Sequence, residues 1–193
     1  MRVLLATAMI IMLMLTGCSF SNDESVTTEA LPNIYDRRSG KVTLEDEAIE
    51  IRAREAINND AELLGRGRIN VNAYNGTLLI TGTAFDESVH QHIIEKLRIM
   101  PGVKRVLDEV DVDSDVDLAS LPDDSAITNR IRAELDKANS YEGFNSHYIK
   151  IVTENGTVYL MGLVFKEEAE LATKITQQIP GVQQVIKYFE YLR

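Results

Sequence analysis

Apolar residues recur every fourth position at Ile49, Ala53 and Ile57, with charged residues between them, and the same spacing returns at Ile127, Ile131 and Leu135. That period puts each set on one stripe of an amphipathic helix. Further along, Ile69 and Val71, and again Ile149 and Ile151, alternate with polar residues as the half-buried face of a strand does. Asn75-Gly76 and Asn155-Gly156 follow. This dipeptide supplies the positive φ angles of a tight hairpin, so Leu78-Leu79-Ile80 and Val158-Tyr159-Leu160 are predicted to return as partner strands. Second helices are predicted from near Asp86 and near Lys166, carrying Val89, Ile93, Leu97 and Met100 in one half and Ala172, Ile175 and Ile179 in the other. Each stops at a Pro-Gly, and last strands are predicted over Val103 to Val112 and Val182 to Tyr191.

The two series are copies of one unit. Asn75-Gly76-Thr77 recurs as Asn155-Gly156-Thr157, Gly82 as Gly162, and Pro101-Gly102-Val103 as Pro180-Gly181-Val182, at offsets of 78 in the first helix, 80 through the hairpin and 79 at Pro-Gly. The fold class is therefore α+β, two tandem αββαβ modules, each with two helices on one face of a small three-stranded mixed sheet. Their expected bounds are 43–113 and 123–193, a size at which a domain can fold alone. The linker between them, 114–122, is short and acidic and carries Leu118 and Leu121. So short a linker predicts that the copies dock, with the two leucines packed at the junction.

The first residues follow another rule. Arg2 is followed by an almost wholly apolar run from Val3 to Leu15, and then by Leu15-Thr16-Gly17-Cys18. The run is too short for a membrane span and reads as a signal peptide over 1–17. Leu-Thr-Gly-Cys matches the lipobox of bacterial lipoproteins, which implies acylation of Cys18, the chain's single cysteine. Ser19 follows in place of the Asp that commonly marks inner-membrane retention, so the address implied is the periplasmic face of the outer membrane. Residues 18–42, polar and without period up to about Lys41, are expected to form a disordered tether.

An αββαβ unit with an Asn-Gly hairpin, a strand-terminal glycine and a helix closed by Pro-Gly-Val before a last strand resembles the BON domain, named for bacterial osmotic-shock and nodulation proteins. The resemblance covers Thr43 to Arg193 and is carried most specifically by Thr153-Glu154-Asn155-Gly156 and Leu160-Met161-Gly162-Leu163-Val164. It implies a non-catalytic module that binds phospholipid membranes. Behind a lipobox, two copies are similar to outer-membrane lipoproteins associated with envelope integrity.

Charge distinguishes the copies. Residues 43–113 carry 14 acidic and 8 basic side chains, residues 123–193 carry 10 and 8, and the whole chain has a net charge of −10. That balance argues against a nucleic-acid partner. It makes the second copy the better candidate for anionic phospholipid, with Arg130, Lys137, Lys150 and Lys174 as basic contacts. Ala126 and Ile127 open its first helix, near where the family is thought to meet the bilayer, though Ile127 aligns with the core position Ile49. Tyr141 and Phe144 lie in the loop after that helix and either insert at an interface or pack inside the module. The alternative is an adaptor that binds envelope proteins, with the acyl anchor alone giving membrane residence.

Catalysis finds no constellation. His90 and His92 are two apart on a helix and do not converge on one ligand, His147 stands alone, and Ser88 lacks a distinctive setting. Asp86-Glu87 and Glu167-Glu168 fall in first helical turns, where carboxylates cap and favour the dipole. Gly82 and Gly162 are expected to let a strand break before a helix. No catalytic residue, metal site or cofactor is expected.

Overall fold

The computed structural model describes residues 36–114 and 123–193. The first module runs α1 (Gly40–Asn58), β1 (Gly67–Tyr74), β2 (Thr77–Ala84), α2 (Glu87–Arg98) and β3 (Arg105–Val112). The second repeats it as α3 (Asp124–Lys137), β4 (Lys150–Glu154), β5 (Thr157–Val164), α4 (Lys166–Gln177) and β6 (Gln184–Tyr191). In each three-stranded sheet the return strand of the hairpin is central, antiparallel to the strand before it and parallel to the last. The parallel pairing requires a crossover, and α2 and α4 supply it.

Both hairpins turn on Asn-Gly in the left-handed region, with φ of 51° and 77° at Asn75 and Gly76 and of 49° and 75° at Asn155 and Gly156. A carboxylate from the first helix fastens each turn. Asp46 accepts from the backbone N–H of Asn75 and of Gly76, both at 2.7 Å, and Asp124 accepts from those of Asn155 and Gly156 at 2.8 and 2.9 Å. An arginine on the same helix fastens the other turn: Arg52 donates to the Pro101 carbonyl and Arg130 to that of Pro180, both at 3.0 Å. Each first helix thus ties together two loops of its module.

The helix stripes and one face of each sheet close two separate cores. Ile49, Ala53, Leu78, Ile80, Ile93 and Leu97 are buried in the first, and Ile127, Ile131, Leu135, Val158, Leu160 and Ala172 in the second. The other faces meet each other. Tyr74, Leu79, Val152, Tyr159 and Met161 form a third buried cluster, flanked by Leu107, Leu163, Ile186 and Tyr188, so the modules dock sheet against sheet. This explains the unbroken apolar runs of β2 and β5, whose alternate side chains enter different cores. A polar rim surrounds the contact: Arg68 and Asn70 reach Glu154 at 2.5 and 2.7 Å, Asn75 reaches Glu190 at 2.7 Å, and the Leu163 N–H donates to the Tyr74 hydroxyl at 2.9 Å.

Three expectations change. The copies dock as predicted, but the docking surface is built from the sheets; Leu118 and Leu121 lie outside the described residues. Gly82 and Gly162 do not break their strands. They sit inside β2 and β5, where an added Cβ would lie 1.9 Å from the Arg68 carbonyl oxygen and 2.4 Å from that of Tyr148, so the neighbouring backbone comes too close for any side chain. The tether boundary also moves. Helix α1 begins at Gly40, capped by Ser39, and Arg37 and Arg38 ahead of it are held against the folded body. Cys18 and the signal segment lie outside the described residues.

Candidate membrane-facing site on the second module

The structure disperses the proposed lipid-contacting residues. Ile127 is 3% exposed in the core beneath Gly181, and Phe144 is buried in the same core at 7%. Ala126 is half-buried, its N–H capped by Asp123 at 3.0 Å. Arg130 is the turn fastener described above. Lys150 faces the first module, donating to Glu50 at 2.5 Å and to the Ala73 carbonyl at 3.0 Å. A cation placed to bridge two modules is spent on docking, so Lys150 leaves the lipid-facing set.

Lys137, Tyr141 and Lys174 remain outward. Lys137 closes α3, its ammonium 2.6 Å from Glu134 in a pair whose side chains are 70% and 44% exposed, which water screens to little net energy. Tyr141 is 63% exposed. The two line a groove of about 460 Å³ whose far wall is Ile175, Gln178, Ile179 and Pro180, and Lys174 is exposed one residue before that wall. The end of α3 therefore presents a paired lysine beside one exposed aromatic ring, with Glu134 in the same lining, and α4 carries a second exposed lysine.

A second groove, of about 390 Å³, lies on the other side of Tyr141 and is lined by Arg37, Glu142, Phe144, Phe165, Glu168 and Leu171. Sequence reasoning missed Arg37, which lay in the expected tether, and read Glu168 only as a capping group. Glu168 does cap, accepting from the Phe165 N–H at 2.7 Å, but its carboxylate also takes both terminal nitrogens of Arg37 at 2.6 and 2.7 Å. That hydrogen-bonded pairing with Glu168 holds the Arg37 pKa above its ordinary value. The repeat contained one signal for these fasteners: Asp46 and Asp124 stand at the same offset as the helix stripes, three residues before Ile49 and Ile127.

The docking surface perturbs its tyrosines. Burial pushes Tyr74 up to about 12 with Asp36 adding to it, and burial and a hydrogen bond to Glu109 push Tyr188 up to about 12. Tyr159, stacked on Tyr188, is raised as well, chiefly by burial. The histidines do not converge: Nε2 of His90 lies 2.9 Å from Asp108, and that of His92 lies 2.8 Å from Asp60. Among the described residues no group of three or more His, Cys, Asp or Glu side chains is placed to hold a metal ion, and no helix is long and apolar enough to cross a membrane.

A duplicated αββαβ unit, its two copies docked through their sheets, defines a tandem-repeat α+β protein. The BON domain family profile matches residues 45–114 and 123–193, and the chain belongs to that family. It is 29% identical over 157 residues, 81% of this chain and 80% of the other, to the outer membrane lipoprotein DolP of Haemophilus influenzae. To the 21 kDa hemolysin of Actinobacillus pleuropneumoniae it is 32% identical over 158 residues, 82% of this chain and 80% of the other. The C-terminal domain of CdsD, a structural protein of the type III secretion system of Chlamydia trachomatis, overlaps 77% of this chain and 67% of its own at 17% identity and a TM-score of 0.30, a likeness that carries no argument.

Proposed function

We propose that the chain is a non-catalytic outer-membrane lipoprotein, anchored through acylated Cys18 and facing the periplasm, whose second module associates with anionic phospholipid and so supports envelope integrity. The observation that carries this reading is the α3–α4 groove on the less acidic of the two modules, lined by Lys137 with its partner Glu134 and by the exposed ring of Tyr141, with Lys174 exposed on α4 one residue before the lining residue Ile175. Cations near a surface are drawn to anionic headgroups at about 1 kcal/mol each, and an amphipathic ring suits the interface. The relative named an outer membrane lipoprotein and the lipobox support the address.

The test uses the mature chain carrying Cys18→Ser, co-sedimented with neutral and with anionic vesicles at two salt concentrations. Salt-sensitive binding to anionic vesicles, lost in Lys137→Glu with Lys174→Glu and weakened in Tyr141→Ala, is expected. Binding unchanged by these substitutions would remove the groove from the membrane contact. Lys150→Glu is unsuitable because it breaks the contact with Glu50 inside the docked body.

A second reading is favoured by the first module. Leu44 and Ile51, seven residues apart on α1, are 66% and 52% exposed, on a module that anionic lipid would repel. An envelope protein is the better partner for that face. Retention of such a protein by the acylated native chain, lost in Leu44→Asp with Ile51→Asp, would establish the adaptor role.

A further inference from the structure

Consecutive arginines at the end of the tether are divided between the modules. Arg38 stays with the first, its guanidinium 3.9 Å from the centre of the Tyr74 ring and paired with Asp36 and Asp46 at 2.5 Å each. Arg37 crosses to the second. There its nitrogens donate to both oxygens of Glu168 and, at 3.1 Å, to the Leu163 carbonyl, while its carbon lies 3.9 Å from the centre of the Tyr148 ring and 5.0 Å from that of Phe165. A two-pronged carboxylate, a carbonyl beside it and two ring faces match a planar fork of donors and suit a compact ammonium poorly.

The repeat supplies a control. At the third residue of α2 the first module has Val89 where α4 has Glu168, and at the hairpin offset it has Arg68 and Thr83 where the second has Tyr148 and Leu163. Phe85 is retained opposite Phe165, but a valine and a cation replace the carboxylate and a ring. The αββαβ fold does not need this cleft, since one copy closes its core without it. Glu168 is nonetheless buried, with 9% of its side chain exposed.

We propose that Tyr148, the Leu163 carbonyl, Phe165 and Glu168 form a guanidinium-binding site that Arg37 occupies in cis, and that an arginine-bearing segment of a partner protein takes the site when the tether end is drawn away. The adjoining groove walled by Tyr141, Phe144 and Leu171 receives apolar residues flanking the incoming arginine. Glu142 and Glu167 on its rim favour a basic segment over an anionic bilayer. Arg37 stands nineteen residues after Cys18, so tension on the anchored tether reaches this residue as soon as it reaches the folded body. A cis ligand competes at an effective concentration of about millimolar, which sets the affinity a partner must overcome. The trans step rests on the adaptor reading; the occupancy of the site by guanidinium does not.

The experiment is a titration of Cys18→Ser chains, native and Arg37→Ala, with a synthetic peptide of residues 33–39, followed by calorimetry and by the ring signals of Tyr148 and Phe165. Binding to Arg37→Ala roughly tenfold tighter than to the native chain is expected, with a loss of similar size when lysine replaces the peptide's residue 37. Equal binding to both chains, or no preference for arginine, overturns the site. Methylguanidinium and methylammonium are then titrated against Arg37→Ala without further mutation, so that instability of Glu168→Gln cannot obscure the result. Ring shifts and a raised Tm with the first alone support the site, and matching responses overturn it. Failure of the native chain to retain any envelope protein, with the peptide result intact, would remove the adaptor reading and leave the site.

Discussion

Replacing Met161 with lysine places a charge at the centre of the surface where the two sheets meet. Met161 is 1% exposed, within a cluster of Tyr74, Leu79, Val152 and Tyr159. Burial of a methionine side chain contributes about 1.5–3 kcal/mol, and its removal from a packed site costs about 2–5 kcal/mol once the cavity is included. An unpaired ammonium in the same place adds several kcal/mol more. The chain can avoid that cost by parting the modules, because neither helix-side core contains Met161. At roughly 0.05–0.15 kcal/mol per residue, a module of about 70 residues holds about 4–10 kcal/mol of its own stability, enough to remain folded when released. Residues 36–193 as one docked body should have a radius of gyration of about 15 Å. Small-angle scattering of Met161→Lys should show a rise of several ångströms, and calorimetry should resolve one unfolding transition into two. An unchanged radius with a single transition would mean that the sheet faces do not hold the modules together. Loss of helical circular dichroism at ambient temperature would mean that the modules are not independent folding units.

Asp124→Ala leaves the N–H groups of Asn155 and Gly156 without their carboxylate and should cost about 1–3 kcal/mol in urea unfolding, whereas a loss within error would show that water serves the turn equally well. Gly162→Ala sets a methyl 2.4 Å from the Tyr148 carbonyl and should cost about 1–3 kcal/mol or more, while Gly143→Ala, with φ of 85° and nothing within 4 Å, should cost only about 1 kcal/mol of backbone strain; the order of the two Tm values checks this. Tyr74 and Tyr188, held near 12 in the folded chain against an ordinary 10, favour the neutral phenol, so their contribution is complete below pH 10 and is lost as pH rises through 12. Alkaline titration of phenolate absorbance should show these two and Tyr159 ionising late, and Tyr188→Phe should flatten the alkaline loss of stability; ionisation of all three in the ordinary phenol range would contradict a buried seam.

The element order was legible because each element carries a local signal. Helix stripes, Asn-Gly turns and Pro-Gly stops depend on neighbours within a few residues, and duplication presented each signal twice. The docking surface had a weaker trace. Tyr159, Met161 and Leu163 interleave with Val158, Leu160 and Val164 in one apolar run, which announces burial on both faces without naming what lies opposite. The candidate site was legible only as composition. Lys137, Lys150 and Lys174 are alike in sequence, and only the fold sends Lys150 to Glu50 and leaves Lys174 in solvent. Arg37 was hidden for the same reason: its partner is 131 residues away, and nothing local to a polar tether distinguishes an arginine that docks from one that does not.

Sheet-on-sheet packing also has a stoichiometric consequence. Leu79 and Tyr159, Leu107 and Ile186, and Glu109 and Tyr188 are equivalent positions of the two copies, and all six lie at the seam, with the Tyr188 hydroxyl donating to Glu109. The chain is built like a homodimer whose protomers have been fused and have since diverged. Separate protomers would come apart when copies are sparse, but fusion makes the pairing intramolecular and independent of the number of molecules on the membrane. A single copy can therefore present both halves, and substitutions in either half are free to specialise it without having to suit a symmetric twin.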